Sequence, residues 1–530
     1  MFGYHPLTGR LSRKTEEREP MNHLVRVLCL LAALALTGLA AADEFTDRLN
    51  AKYQNVPDNR RAELILMPAL GAMEEPPGVL LGRADRVLLL TTTSPAWPAA
   101  DGWAKSEPQQ AVLKALAEVT AEENPRRAME FALPYGIAGV DSAWVRMGIH
   151  AELGDPPTIA AATLGYLERM QWLASLAQIE VTRLEADGQL EQAMELMLDM
   201  AILGRMMADR QLFDEVSWGM DTMQTAMLRI RDIAYIDATK NGELTGAYFK
   251  SVVERINLTG MFRLDRVRMP LGDRIGADQL AGRVFDRSGQ PDEAVFATSM
   301  AELASTSRPL RLFAEAGRWQ SAMSGHASSR ETNTKIAGLF NDWSLRWDAD
   351  IFDPTFRTPT EYEKLDRQQY ALAAEVVPNL GRLFVMRREL ETELVGTRVA
   401  LAIRALSKEA GGMPTSLALA RPRYIDDLGV DPYNPARAAG NRPELRFFVP
   451  ERDTVGGRLH EMNVIPRGRT NFSVRLGSEE FVLYSLGGNE FDDRATIVSN
   501  NGLELSGDYL IWPPVLSLLR DYLEDTGDSE

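Results

Sequence analysis

The chain has 530 residues, 45% of them apolar and 25% charged, enough to bury more than one core. Its formal net charge of −17, with no cluster of Lys and Arg to offset it, argues against nucleic acid as a partner, because phosphate contacts need basic patches. The single cysteine, Cys29, excludes internal disulfides.

Residues 24–42 form an apolar run broken by Arg26, preceded by His23 and Met21 and followed by Ala40-Ala41-Ala42 and then Asp43-Glu44. A basic start, an apolar middle and an A-x-A end describe a secretory signal peptide. The run is short for a bilayer span of about 20 residues, so cleavage near Asp43 is expected, with Met21 an alternative start. Membrane contact is expected only if this leader is retained. Residues 1–42 carry five basic and three acidic side chains, so their removal takes the charge from −17 to −19. Removal also takes away Cys29, and with it any Cys-based zinc site or nucleophile. The expected location is periplasmic or extracellular.

Residues 43–105 read as a lead-in of mixed structure, with apolar runs at Leu64–Met67 and Val87–Leu90 around the turn signal Glu74-Glu75-Pro76-Pro77-Gly78. Ser106-Glu107-Pro108 opens a helix. Leu164, Leu167, Met170, Leu173 and Leu176 recur at helical spacing. After Gly188 the pattern resumes with Leu190, Ala193, Met194 and Met197. This predicts two antiparallel helices of tetratricopeptide type with Gly188 at the turn, and no second copy follows at the 34-residue interval of such repeats. Further helices are predicted near 215–235 and 246–256. The block is rich in methionine (Met170, Met194, Met197, Met200, Met206, Met207, Met220, Met223, Met227), which fits either a pliable groove or core filling, the latter favoured by the helical spacing.

Residues 272–292 look irregular, and Thr360-x-x-Glu363 is a capping box that predicts a helix ending at Pro378. A long helix is predicted over 380–410, stopped by Gly411-Gly412 and Pro414. Strand-like runs follow at 445–449, 472–476, 481–485 and 509–512, with Gly477-Ser478 as a hairpin turn between the second and third. The expected fold is therefore mainly α. A helical-hairpin bundle spans 106–378, a long helix with a small C-terminal antiparallel sheet spans 379–515, and an acidic tail spans 516–530, its last ten residues frayed.

No catalytic constellation emerges. His460-Glu461 begins an H-E-x-x-H zinc motif, but Val464 stands at its last position. His326 lies among Ser324 and Ser328 without a nucleophile elbow, and His150 adjoins no partner motif. Asp348, Asp350 and Asp353, near Trp343, Trp347, Phe352 and Phe356, offer paired carboxylates and stacking rings for a cell-envelope hydrolase of glycans, or simply a turn and a core. The acid-rich loop after Tyr484 supplies oxygen ligands of the kind calcium takes: Asn489, Asp492, Asp493, Asp508 and the carbonyl of Leu486. The alternative reading is a solvated loop whose acids shape turns.

A long helix ending in Gly412-Met413-Pro414-Thr415, then Leu417, Leu428, Asp431-Pro432, Phe481–Gly487 and Asp508–Trp512, resembles in order and spacing the globular domain of the type II secretion major pseudopilin. The likeness covers about residues 395–515 and implies a pseudopilin-like α+β module whose loop binds calcium. Asn489 and Asp508 match that loop best. Asn489 stands where an acid is usual, and the loop is longer. The module lies at the C-terminal end with no prepilin cleavage site at 21–42, so pilus-subunit function does not carry over. The leading expectation is an exported, non-enzymatic structural or interaction protein with a protein partner in the cell envelope. A secretion-apparatus accessory is the second alternative beside the hydrolase.

Overall fold

The computed structural model describes residues 44–82, 84–121, 129–240, 242–303, 309–453, 459–477, 481–501 and 507–527. The leader reading of residues 1–42 lies outside the described residues. Among them, no helix is long and apolar enough to cross a membrane.

The molecule is mainly helical with a small C-terminal sheet region. Seven helices matter for the site: α1 (Ala84–Leu89), α2 (Gly165–Ala186), α3 (Leu190–Ala208), α4 (Phe213–Lys240), α5 (Gly246–Arg255), α6 (Leu380–Ala410) and α7 (Val515–Thr526). α2 and α3 form the expected hairpin. Gly188 sits between them at φ +74°, a left-handed conformation that a Cβ disfavours. Ala193 is fully buried and the methionines of this block are core, so the core-filling alternative is the one the fold uses.

α3 and α4 cross closely because Gly204 faces Gly219. A Cβ on Gly219 would fall 2.4 Å from the Ala208 nitrogen and 2.5 Å from the Gly204 carbonyl oxygen. α6 lies along α4 and α5 and ends at Gly411, φ +72°. Its middle is buried on every side.

The sheet strands are β1 (Arg446–Phe448), β2 (His460–Ile465), β3 (Phe472–Leu476), β4 (Val482–Ser485), β5 (Ile497–Ser499) and β6 (Asp508–Trp512). Their order is β1-β4-β6-β5-β2-β3. β5 runs parallel to both β2 and β6, so the sheet is mixed, not antiparallel as expected. β3 pairs with β2, not with β4, and the hairpin turn therefore lies between Ile465 and Phe472 rather than at Gly477-Ser478. β4, β6 and β2 each carry buried residues at successive or alternate positions, which places one face on α6 and the other on α7.

The run at 64–67 lies in helix Glu63–Ala72, and Val87–Leu89 lie in α1. Other expectations are corrected. Residues 272–283, read as irregular, are a helix whose Gly272 and Gly276 sit against neighbouring chain too closely for a side chain. The capping box at Thr360 forms, with Glu363 N donating to Thr360 Oγ1 at 3.1 Å, yet it closes only turns, and the helix begins at Ala371. Residues 516–526, read as part of an acidic tail, belong to α7, whose Val515, Leu516, Leu518 and Leu519 are buried. One apolar core runs from Leu49 to Trp512, across the expected boundary at 378/379, and a smaller one lies between the sheet and α7.

Candidate functional site

Where α2, α4, α7, α1 and the sheet meet, they leave a cavity of about 320 Å³, within the range of small-ligand sites. The helical period places its walls. Gln171, Ala174, Ser175 and Gln178 follow one face of α2, and Asp221, Thr222, Thr225 and Leu228 one face of α4. Met200 of α3 closes the floor. Val87–Leu89 of α1 and Val515, Leu516 and Leu519 of α7 give an apolar side. Arg467, Arg469, Asn500 and Tyr509 come from the sheet end.

Charges in this region are held by partners. Arg231 of α4 pairs with Glu393 of α6 at 2.6 Å, and Tyr509 OH of β6 donates to the same carboxylate at 2.7 Å. Burial pushes the Tyr509 hydroxyl well above its ordinary pKa, and the neighbouring Glu393 and Glu389 add to the shift, so it stays a donor. Arg467 donates to buried Glu389 at 2.7 Å, and its backbone N–H donates to Asn500 Oδ1 at 3.1 Å. Asp221 differs. Its carboxylate is exposed to solvent on the cavity wall and makes no hydrogen bond or ion pair among the described residues. Loss of solvent around it raises its pKa, while Arg467 and Arg382 act in the opposite sense without contacting it. Gln178 is buried, and its Oε1 has no hydrogen-bond partner.

The residues singled out in the sequence fall elsewhere. Of the calcium set, Asn489 Nδ2 donates to Asp493 Oδ2 at 2.9 Å, and Asp493 N and Ala495 N donate to Asp508 at 3.4 and 2.7 Å. These three are brought together. Asp492 turns away, accepting from Tyr484 OH at 2.9 Å and pairing with Arg446 at 3.4 Å, and Leu486 N donates to Asp431 at 3.4 Å. Burial, then the nearby Asp492 and Asp493 charges, push the Asp508 carboxyl up to about 7. Among the described residues, no three acidic, histidine or cysteine side chains are grouped so that they could hold a metal ion.

The acids near residue 350 diverge. Asp348 is mostly exposed and 3.6 Å from Arg387, Asp350 pairs with Arg437 at 2.9 Å, and Asp353 accepts from Thr355 N at 2.8 Å as a cap. Trp343 and Phe356 pack on Phe384 as core. The three carboxylates serve three separate structural contacts, and the hydrolase reading keeps no geometric support. His326 Nε2 accepts from Leu372 N at 3.2 Å, and the ring packs on Phe285 and Phe296. His460 bonds the Ala495 carbonyl at 3.0 Å from β2. Compared with family models, curated proteins and solved structures, the chain gives no match to any of them.

Proposed function

We propose that this is an exported, non-enzymatic binding protein whose recognition site is the cavity between the helical body and the sheet. Export rests on the apolar leader. The supporting observation for binding is a concavity of about 320 Å³ whose lining combines apolar side chains of α1, α4 and α7 with polar ones of α2, α4 and the sheet end. Its walls come from stretches of chain far apart in sequence, so an occupant would bridge helical body, sheet and α7.

The test is fluorescence of N-phenyl-1-naphthylamine, a neutral probe that brightens in apolar sites. A saturable rise is expected with the parent chain and is lost in Ala174→Trp, where the indole fills the cavity. Leu228→Trp repeats the test from the opposite wall should the first variant fold poorly. Equal probe binding in a folded filled variant, or none in the parent, removes the site.

A second reading is a calcium-stabilised C-terminal module, supported by the convergence of Asn489, Asp493 and Asp508 and by the pseudopilin likeness. Because the Asp508 pKa is raised, the folded state favours its protonated form. That contribution is fully present at acid pH and is lost as the pH rises towards about 7. A cation would offset the loss. The full chain is expected to melt higher in millimolar calcium than in chelator at pH 7.5, and Asp508→Ala to show no such difference. A calcium-independent melting curve in the parent ends this reading.

A further inference from the structure

The cavity's own polar groups narrow what could occupy it, an argument that rests on the binding reading above. One charged acceptor on its walls lacks a partner. The Asp221 carboxylate is exposed on the cavity wall with no hydrogen bond or ion pair among the described residues, whereas Gln178 Oε1 is buried away from the cavity surface. A ligand ammonium would replace water on Asp221 with a charge-assisted hydrogen bond. No nearby cation pairs with it among the described residues. Arg467 is committed to Glu389 at 2.7 Å, and Arg469 is engaged elsewhere. Thr222 and Thr225 add hydroxyls on the same face of α4 as Asp221, while Leu89, Leu228 and Leu516 form the apolar remainder.

We infer that the cavity takes an apolar molecule carrying an ammonium group, the ammonium on Asp221 and the hydrocarbon against the leucines of α1, α4 and α7. A charge-assisted hydrogen bond is about twice as strong as a neutral one, so the head group should dominate selectivity.

Hexylamine, hexanol and hexanoate share one tail and differ only at the head. Each is titrated against N-phenyl-1-naphthylamine bound to the full-length parent at pH 7.5. Hexylamine is expected to displace the probe at about tenfold lower concentration than hexanol, with hexanoate the weakest. In Asp221→Asn the three are expected to fall within about threefold of each other, because the isosteric amide carries no charge. Equal displacement by all three in the parent, a preference for hexanoate, or an amine preference that survives in Asp221→Asn overturns the ligand class while leaving the cavity as a binding site. Failure of the probe to bind the parent overturns the site itself.

Discussion

Replacing Asp232 by alanine is expected to cost about 3–5 kcal/mol of folding free energy, the range for removing one partner from a buried ionic network. Asp232 on α4 is fully buried. It accepts from Ser517 Oγ at 2.6 Å and Arg520 at 2.5 Å on α7, and pairs with Arg229 on its own helix. Arg229 also reaches Glu185 on α2 at 2.8 Å, and Arg520 reaches the Leu88 carbonyl on α1. The carboxylate ties the last helix to α4, and its two arginine partners extend the network to α1 and α2. Without it, Arg229 keeps Glu185 but Arg520 is left as a buried cation holding only a carbonyl. Burial alone would raise the Asp232 pKa, yet the charges of Arg520 and Arg229 and their hydrogen bonds hold it below the ordinary value. Its stabilisation is therefore complete at neutral pH and is lost as the pH falls through that lowered value. Urea titration of parent and variant at pH 7 measures the difference. A loss under about 1 kcal/mol would show the network to be dispensable.

Gly219→Val is expected to lower the yield of folded protein sharply, and Gly219→Ala to cost about 1–3 kcal/mol through overpacking. A methyl group on an exposed helix would stabilise by up to about 1 kcal/mol over glycine. Here the opposite sign is expected because the atoms met at 2.4 and 2.5 Å are backbone, which no rotamer change can move aside. The same argument holds for Gly204, whose Cβ would lie 2.8 Å from the Gly219 carbonyl oxygen. Melting temperatures of Gly219→Ala and Gly204→Ala decide it. A rise in either would mean that α3 and α4 do not touch at this point.

Local periodicity made the helical hairpin legible. Leu164–Leu176 and Leu190–Met197 each keep an apolar face, and Gly188 breaks them at the residue that adopts positive φ. The long helix was equally plain, from its length and its Gly411 stop. Two strands of the C-terminal sheet escaped. β2 contains His460-Glu461 and alternates buried with exposed residues only from Met462, and β5 is three residues long. The mixed sheet escaped because pairing of β5 with β2 and β6 joins segments far apart in sequence, which no local pattern encodes. The cavity was unreadable for the same reason. Its walls come mainly from residues 87–89, 171–178, 221–228, 466–469 and 515–519, with Met200, Glu393, Asn500 and Tyr509 added singly, each of which reads alone as ordinary core or loop. Asp221 carries no motif, and only the missing partner, a three-dimensional fact, singles it out. The acidic loop was visible from composition, but which of its residues meet was not: Asn489, Asp493 and Asp508 converge, whereas Asp492 is drawn off by Tyr484 and Arg446.

The strand order bears on how the molecule assembles during synthesis. β6 is the last strand in sequence but lies inside the sheet, between β4 and β5. Before it emerges, β1 with β4 and β5 with β2 and β3 are two separate ribbons that share no ladder. The helical hairpin, built from near-neighbour contacts, can form while these ribbons wait, since local contacts close faster than distant ones. Joining the halves then depends on residues 508–512, whose side chains are buried throughout. A chain interrupted before Asp508 would expose the facing edges of β4 and β5 together, and such unpaired edges recruit other chains. The central position of its final strand thus makes sheet closure a late, all-or-none event, and makes C-terminal truncation a route to aggregation rather than to a smaller folded protein.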